Sequence, residues 1–249
     1  MKAVFKTDKG KVRLHNEDNG GVFMNPEGVR LAIVADGMGG HRAGDVASEM
    51  TINIMKESFT ESRGITTATE AEEWLRNEIN RVNLKLFEHS EANPECKGMG
   101  TTVVAAVCTD KFASIAHIGD SRCYIHGESG FKQLTEDHSL VNELVRSGQI
   151  SKEEAENHPR KNVVLRALGT EPEVDIDVTT IIFEEGNMLL ICSDGLSNKV
   201  SEQEMSQIIE DEKDLDEKAG SLISLANQYG GEDNISLVLV QFPEESEGR

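Results

Sequence analysis

Aspartates stand at the ends of several short apolar runs in this chain. LAIVAD ends at Asp36, which Gly37 follows, and MLLICSD ends at Asp194. SIAHIGD ends at Asp120, and Asp233 lies just before the run ISLVLVQF. Such runs predict buried strands, and a carboxylate at the mouth of a buried strand is costly unless a cation or a donor faces it. Strands that bring these carboxylates to one end of a sheet would form an oxygen-rich pocket for hard divalent metals.

A single Asp-Gly pair has a structural explanation, because the dipeptide is common in turns. The repetition, together with Asp18 and Asp233, favours a metal site. All the candidate ligands are oxygen donors, which favours Mg²⁺ or Mn²⁺ over zinc or copper. Gly37 could ligate through its carbonyl oxygen, since glycine lets the backbone approach closely. The pattern predicts a metal-dependent enzyme that acts on a phosphate ester.

Arg13 lies five residues before Asp18 in RLHNED. A guanidinium near a metal site suits two oxygens of a phosphate monoester, although an isolated arginine is more often part of a surface ion pair. Arg122, in GDSR, is predicted to pair with a nearby carboxylate. Thr101 and Thr102 open a strand, where β-branched residues are typically structural.

Composition and motifs exclude several classes of function. The formal net charge of −20, from 45 acidic and 25 basic residues, argues against nucleic acid or an anionic membrane surface as a partner. DGMGGH lacks the P-loop and GxGxxG spacings, and neither Ser121 nor Ser193 lies in a GxSxG motif. The N-terminus lacks the apolar region of a signal peptide, and no run approaches the roughly 20 apolar residues of a membrane span. We therefore expect a cytoplasmic protein.

Periodicity predicts the order of strands and helices. Strands are expected near 3–6, 20–24, 29–35, 101–108, 112–118, 122–126, 174–182, 187–192 and 235–242, and helices over 44–59, 70–90, 139–147, 201–210 and 215–228. The helices fall in an early and a late pair with blocks of strands between, which predicts an α+β sandwich. Ser151 with Glu154, and Ser201 with Glu204, fit the capping box that begins a helix.

We expect one domain over residues 1–242. The polar segment 140–164 lies between two motifs and is predicted to be an inserted flap. Residues 243–249 are predicted to be a flexible tail.

Eight motifs in order carry a family resemblance. They are RxxNED (13–18), ADGMGGH (35–41), GMGTT (98–102), HIGDSR (117–122), LTEDHS (134–139), LRALG (165–169), ICSDGLS (191–197) and GGEDNIS (230–236). The chain thus resembles the PP2C-type (PPM) metal-dependent serine/threonine protein phosphatases. Within that family it is most similar to the PrpC-like bacterial members, which oppose membrane-bound kinases with extracellular PASTA repeats.

The resemblance implies a central antiparallel β-sandwich flanked by helix pairs, in α-β-β-α layers. It implies two core ions, Mn²⁺ or Mg²⁺. Asp36 would bridge them, the Gly37 carbonyl would bind the first, and Asp194 and Asp233 would bind the second.

The resemblance also implies roles around these ions. Asp18 would hold a metal-bound water, and Arg13 would bind the substrate phosphate. Asp120 together with Asp194 would hold a weaker third ion. The flap would border the cleft and tune substrate choice.

One position departs from part of the family. Members with a DGH motif place a histidine directly after the glycine, where it is proposed to protonate the leaving group. Here that residue is Met38, and the nearest histidine is His41. His41 could instead pack or hydrogen-bond at the start of the helix near residue 44. The general acid therefore stays open, with a water of the third ion, held by Asp120, as the alternative.

The predicted function is hydrolysis of phosphoserine and phosphothreonine in proteins by a metal-activated water. The resemblance implies phosphoprotein substrates and a PASTA-type kinase as functional partner. A phosphoprotein-binding pseudophosphatase is the main alternative, although none of the expected aspartates is missing. A nuclease is disfavoured by the acidic charge. We expect a monomer, since no exposed heptad or long apolar edge is evident.

Overall fold

The computed structural model of the protein describes residues 1–39 and 43–242. His41 and the predicted tail 243–249 lie outside the described residues. The strands are Lys2–Asp8 (β1), Asp18–Met24 (β2), Arg30–Met38 (β3), Gly100–Thr101 (β4), Val103–Cys108 (β5), Phe112–Ile118 (β6), Arg122–Gly127 (β7), Gly130–Gln133 (β8), Asp177–Ile182 (β9), Met188–Cys192 (β10) and Ile235–Gln241 (β11). The helices are Ala43–Glu61 (α1), Ala68–Ala92 (α2), Leu140–Arg146 (α3), Lys152–Glu156 (α4), Asp194–Ser197 (α5), Glu202–Glu210 (α6) and Leu215–Gln228 (α7), with a short 3₁₀ helix at Pro94–Cys96.

The strands form two antiparallel sheets. One has the order β1-β11-β10-β7-β8, and the other has the order β2-β3-β5-β6-β9, with β4 paired to β3. Neighbouring strands in both sheets run antiparallel. The predicted α+β class with antiparallel sheets is confirmed.

Alternation along β3 shows how the layers arise. Successive side chains of a strand point to opposite faces. Leu31 and Ile33 join the core beneath α1 and α2, whereas Ala32 and Val34 join a second core between the sheets. Both faces of the strand are apolar, as expected for a sheet that is covered on both sides.

The second sheet is built in the same way. Leu189 and Val238 face the core between the sheets, and Leu190 and Leu239 face a third core beneath α6 and α7. The resulting order is helices, sheet, sheet, helices. This is the predicted four-layer sandwich.

Capping residues fix where several helices begin. The Ser201 side chain accepts a hydrogen bond from the Glu204 backbone N–H, and the Glu204 carboxylate accepts one from the Ser201 backbone N–H, so α6 begins at a complete capping box. The same arrangement at Ser151 begins α4. Both were predicted from the sequence. The box satisfies backbone N–H groups that the first helical turn leaves free.

The segment 140–164, which we call the flap, leaves and rejoins the sandwich at a narrow neck. Leu140 N–H donates to the Val163 carbonyl at 2.8 Å, and Leu165 N–H donates to the His138 carbonyl at 2.7 Å. The flap contains α3 and α4, neither of which has a fully buried residue. Its position is thus defined mainly by the neck.

Candidate active site

Asp18 and Asp36 lie opposite each other on β2 and β3. Directly opposed residues in an antiparallel pair have Cβ atoms about 4.5–5.5 Å apart, so the pairing register alone brings these two carboxyls together. The Asp36 carbonyl accepts hydrogen bonds from Thr101 Oγ1 and from Thr102 N–H, both at 2.9 Å. Its N–H donates to Thr102 Oγ1 at 3.1 Å. The two threonines are structural, as predicted, and what they hold is the backbone of Asp36.

Three further aspartates reach the same edge of the sandwich. Asp120 follows β6, Asp194 follows β10, and Asp233 lies just before β11. Antiparallel pairing places the end of β10 beside the start of β11. The structure therefore brings together all five aspartates that the sequence singled out, and their roles as ligands stay predictions.

The carboxyl of Asp36 is surrounded by like charge. Its enclosed position raises its pKa well above the usual value, and repulsion from Asp18, Asp194, Asp120 and Asp233 adds to the rise. Desolvation likewise raises the pKa of Asp18 and of Asp120 to about 7. Strongly shifted carboxyls grouped in a cleft are typical of functional sites. Without a counter-charge these groups cannot all ionise at neutral pH.

One carboxylate oxygen of Asp18 has no hydrogen-bond partner within residues 1–39 and 43–242. Its Oδ2 accepts a hydrogen bond from Ser193 Oγ at 2.7 Å, whereas the buried Oδ1 has no partner among the described residues. A buried carboxylate oxygen is costly unless a donor or a cation satisfies it. The site thus fits hard cations and the water molecules they hold, because it offers oxygen donors and a surplus of negative charge.

Close backbone packing explains the glycine after Asp36. A Cβ atom at Gly37 would collide with the carbonyl oxygens of Gly44 and Glu17, and Gly37 N–H donates to the Glu17 carbonyl at 3.1 Å. Any other residue would push α1 away from β3. The glycine therefore has a packing role, which is compatible with the predicted role of its carbonyl.

Arg13 lies on the loop between β1 and β2 and faces the aspartates. Its side chain is 49% exposed, and its Nη2 donates to Asp233 Oδ2 at 2.7 Å. Asn234 ties this loop to the sheet, since its amide Nδ2 donates to the carbonyls of Lys9 and His15. Arg13 thus stands at the rim of the site with other N–H groups free of Asp233.

Glu17 was not among the predicted site residues. Burial raises the pKa of its carboxyl, and the negative charge of Asp45 adds to the rise. Its backbone N–H donates to Asn234 Oδ1 at 2.8 Å. The motif RLHNED contains Glu17 beside Asp18, but its contacts with α1 are long-range and no spacing rule indicates them.

A second layer of contacts surrounds the loop that carries Asp120. Arg122 donates to both carboxylate oxygens of Asp137, at 2.7–3.0 Å, which confirms the predicted ion pair. His138, the next residue after Asp137, contacts Gly119. Sequence reasoning missed both Asp137 and His138, although each lies in the motif LTEDHS.

A cavity of about 510 Å³ adjoins this centre. Asp120 and Asp194 line it, and so do Val141, Lys152 and Lys161 of the flap. The cavity is large enough for a few side chains of an extended peptide, and it places flap residues next to the aspartates.

A family model described as protein phosphatase 2C matches residues 9–230 of the chain. The chain belongs to the protein phosphatase 2C family. The resemblance read from the motifs is thereby confirmed, and so is the PP2C-like form of the fold. Like its relatives, the chain is a serine/threonine protein phosphatase, whose substrates are phosphorylated proteins.

Relatives in this family match almost end to end. The serine/threonine phosphatase stp of Listeria welshimeri is 52% identical over 241 residues, covering 97% of this chain and 96% of the relative. The crystal structure of Stp1 from Staphylococcus aureus superposes with a TM-score of 0.91 at 38% identity, covering 98% of this chain and 95% of that one. The catalytic domain of PstP in complex with 2 manganese ions superposes with a TM-score of 0.84 at 32% identity, covering 98% of both chains.

Within residues 1–39 and 43–242, no helix of this PP2C phosphatase combines the length and apolarity that a membrane crossing needs.

Proposed function

We propose that this phosphatase hydrolyses phosphoserine and phosphothreonine with the help of Mn²⁺ or Mg²⁺. Asp36 and the Gly37 carbonyl, with Asp194 and Asp233, would hold two core ions, and Asp120 with Asp194 would hold a weaker third. The observation that carries the proposal is the enclosed group of like charges around Asp36. When bound, the cations supply an activated water at neutral pH and offset negative charge on the phosphoryl group.

Arg13 would bind and orient the substrate phosphate. One of its N–H groups is used by Asp233, and a guanidinium has five. The remaining groups can donate to two phosphoryl oxygens, which is the geometry that a guanidinium recognises best. Because Arg13 stands at the rim, the phosphorylated residue would enter from the exposed side of the cleft.

Asp18 would orient the attacking water, because no donor among the described residues reaches its Oδ1 and Ser193 fixes its other oxygen. The water loses one proton to the surrounding solvent as its oxygen bonds to phosphorus, and the bond from phosphorus to the serine or threonine oxygen breaks. The leaving oxygen then takes up a proton. Met38 has no proton to donate, so we assign this step to a water held at Asp120.

The partner, cellular location and oligomeric state are proposed from the family resemblance. We propose that the chain opposes a serine/threonine kinase of the PASTA type, acts in the cytoplasm and works as a monomer. The flap would form one wall of the substrate cleft and influence which phosphoproteins are accepted.

Hydrolysis of a phosphothreonine peptide by the purified protein tests the proposal. We expect activity to vanish with EDTA and to return with Mn²⁺ or Mg²⁺. Asp194→Asn should not recover activity with either metal. Full activity in the presence of chelator would contradict the metal-dependent mechanism. A folded wild-type protein that binds phosphopeptide without turnover under any metal would instead indicate the pseudophosphatase alternative.

A further inference from the structure

We propose that His138 is a positioning residue that fixes the orientation of Asp120 by clamping the preceding residue, Gly119. This inference rests on the proposed function of Asp120 as a ligand of the weaker ion. His138 itself lies in the neck of the flap, where its carbonyl accepts from Leu165, and does not belong to the predicted ligand set.

The clamp consists of two hydrogen bonds from one residue to another. The backbone N–H of His138 donates to the Gly119 carbonyl at 2.9 Å. The backbone N–H of Gly119 donates to Nδ1 of the His138 ring at 3.2 Å. Both polar groups of Gly119 are thus held by His138, and the planes of the peptides on either side of Gly119 are fixed.

Gly119 needs such a restraint. It has a φ of +102°, a conformation that glycine enters readily and other residues rarely adopt. A Cβ atom there would collide with the side chain of Thr102, so only glycine fits at this position. Its backbone freedom must therefore be limited by contacts from other residues. A rotation at Gly119 would swing the next residue, Asp120, and its carboxylate would turn away from Asp194.

The other side of the ring is anchored as well. Since Nδ1 accepts a hydrogen from Gly119, the neutral ring carries its own hydrogen on Nε2, and this nitrogen donates to Asp177 Oδ2 at 3.1 Å. Asp177 also lies 3.6 Å from Arg166 Nη1. A carboxylate that orients a histidine, which in turn orients a ligand, is a common arrangement in the outer shell of metal sites.

His117, His138 and Asp177 also have the composition of a metal site of their own, with ligand atoms within 4.8 Å of one another. The hydrogen bonds argue against that assignment. A neutral imidazole has one nitrogen lone pair in the ring plane, and in His138 this lone pair is on Nδ1 and faces Gly119. The protonated Nε2 therefore has no lone pair to donate to a metal ion. The two imidazoles are stacked, with centroids 4.7 Å apart and planes 21° apart, and in-plane lone pairs of stacked rings do not converge on one ion.

The clamp is tested by substitutions that remove both hydrogen bonds of the His138 ring or keep only one of them. His138→Ala removes both contacts. His138→Asn places an amide oxygen where Nδ1 lies and can again accept from Gly119, whereas His138→Gln reaches only toward Asp177. His117→Gln is the control, because this buried neighbour contacts the Glu136 carbonyl. Mn²⁺ titration followed by electron paramagnetic resonance, thermal unfolding, and kcat and KM on a phosphothreonine peptide give separate readouts.

We expect His138→Ala and His138→Gln to lower the affinity for the most weakly bound Mn²⁺ ion by about tenfold to a hundredfold. The two tightly held ions should be retained, and the loss of activity should be in kcat. His138→Asn should recover most of the affinity, and His117→Gln should lower only the melting temperature. Wild-type Mn²⁺ binding by His138→Ala, with activity lost only in proportion to stability, would overturn the proposal. If the wild type binds no weaker ion and Asp120→Ala changes nothing, the proposed role of Asp120 fails and the clamp fails with it.

Discussion

At the scale of single residues, the aspartates that suit cations oppose folding when cations are absent. Asp36 lies among four other carboxyls, each of which raises its pKa by repulsion. A protein that binds metal at such a site therefore carries a local destabilisation in its metal-free form. This is the usual conflict between the stability of a fold and the demands of its active site.

Asp36→Asn separates these two effects. We expect kcat to fall by about 10³-fold or more, because the substitution removes charge at the point where electrostatic stabilisation matters most. The metal-free variant should be at least as stable as the wild type, because one repelling charge is gone. Each 1 kcal/mol gained raises the melting temperature of a domain of this size by roughly 2–4 °C. Calorimetry in EDTA and a peptide assay in Mn²⁺ measure the two effects.

Asp110→Asn is the matched control for that experiment. Asp110 is exposed on the turn between β5 and β6, so the same chemical change there should leave activity and stability within about 0.5 kcal/mol of the wild type. Retention of wild-type kcat in Asp36→Asn would remove this residue from the proposed site.

Asp18 and Asp120 predict how the stability of the metal-free protein depends on pH. Both carboxyls have folded-state pKa values raised to about 7, above the value of about 3.9 for an unfolded aspartate. Between these values the folded state binds more protons than the unfolded state. The free energy of unfolding should therefore fall as pH rises from about 4 to 7.

Urea denaturation in EDTA at several pH values measures this slope. We expect the slope to be smaller in Asp18→Asn, which has lost one of the two groups, and to flatten in the wild type when Mn²⁺ is present. A metal-free protein whose stability rises steadily over this interval would show that these carboxyls are ionised in the fold.

At the scale of elements, what could be read from the sequence depends on burial. Strands such as β5 and β10 are apolar throughout because both faces are covered, and this is the pattern that predicted them. The four residues of β8 form an edge strand with no buried residue, so they left no such signal. Helix α5 is a single turn after Asp194, too short for any helical period.

The flap supports a prediction about substrate recognition. Lys152 and Lys161 line the same cavity as Asp120 and Asp194, and they bring positive charge to the cleft of an acidic protein. We expect alanine at either lysine to raise KM for a phosphopeptide with acidic flanking residues by about threefold, as for an exposed ion pair. Activity on p-nitrophenyl phosphate, which is too small to reach the flap, should not change.

Lys97→Ala provides the comparison, since this exposed lysine lies beyond the 3₁₀ helix and does not line the cavity. Its KM for the same peptide should equal that of the wild type. If all three variants behave alike, or if KM rises equally for a peptide with neutral flanks, the flap lysines do not read acidic residues.

At the scale of the whole molecule, the five aspartates and their motifs could be identified from the sequence, but the contacts that orient them could not. Asp36 and Asp194 follow from the ends of apolar runs, whereas the clamp joins His138 to residues 19 and 39 positions away in the chain. Contacts of this kind depend on how β6, β9 and the neck of the flap are arranged in space. Periodicity and capping signals describe local structure and carry no information about that arrangement.

The net charge of −20 and the grouped carboxyls together predict that metal binding stabilises the whole fold. An ion that binds only the folded state stabilises it by about 2.7 kcal/mol at a hundredfold excess over its Kd, which corresponds to roughly 5–11 °C in melting temperature for a domain of this size. We expect Mn²⁺ to produce a shift of this order in the wild type and a much smaller one in Asp194→Asn, which removes the proposed ligand of the second and third ions. Differential scanning calorimetry with EDTA and with Mn²⁺, at constant ionic strength, measures both. Equal shifts in the two proteins would mean that the cations stabilise the acidic surface by general screening and that Asp194 does not hold them.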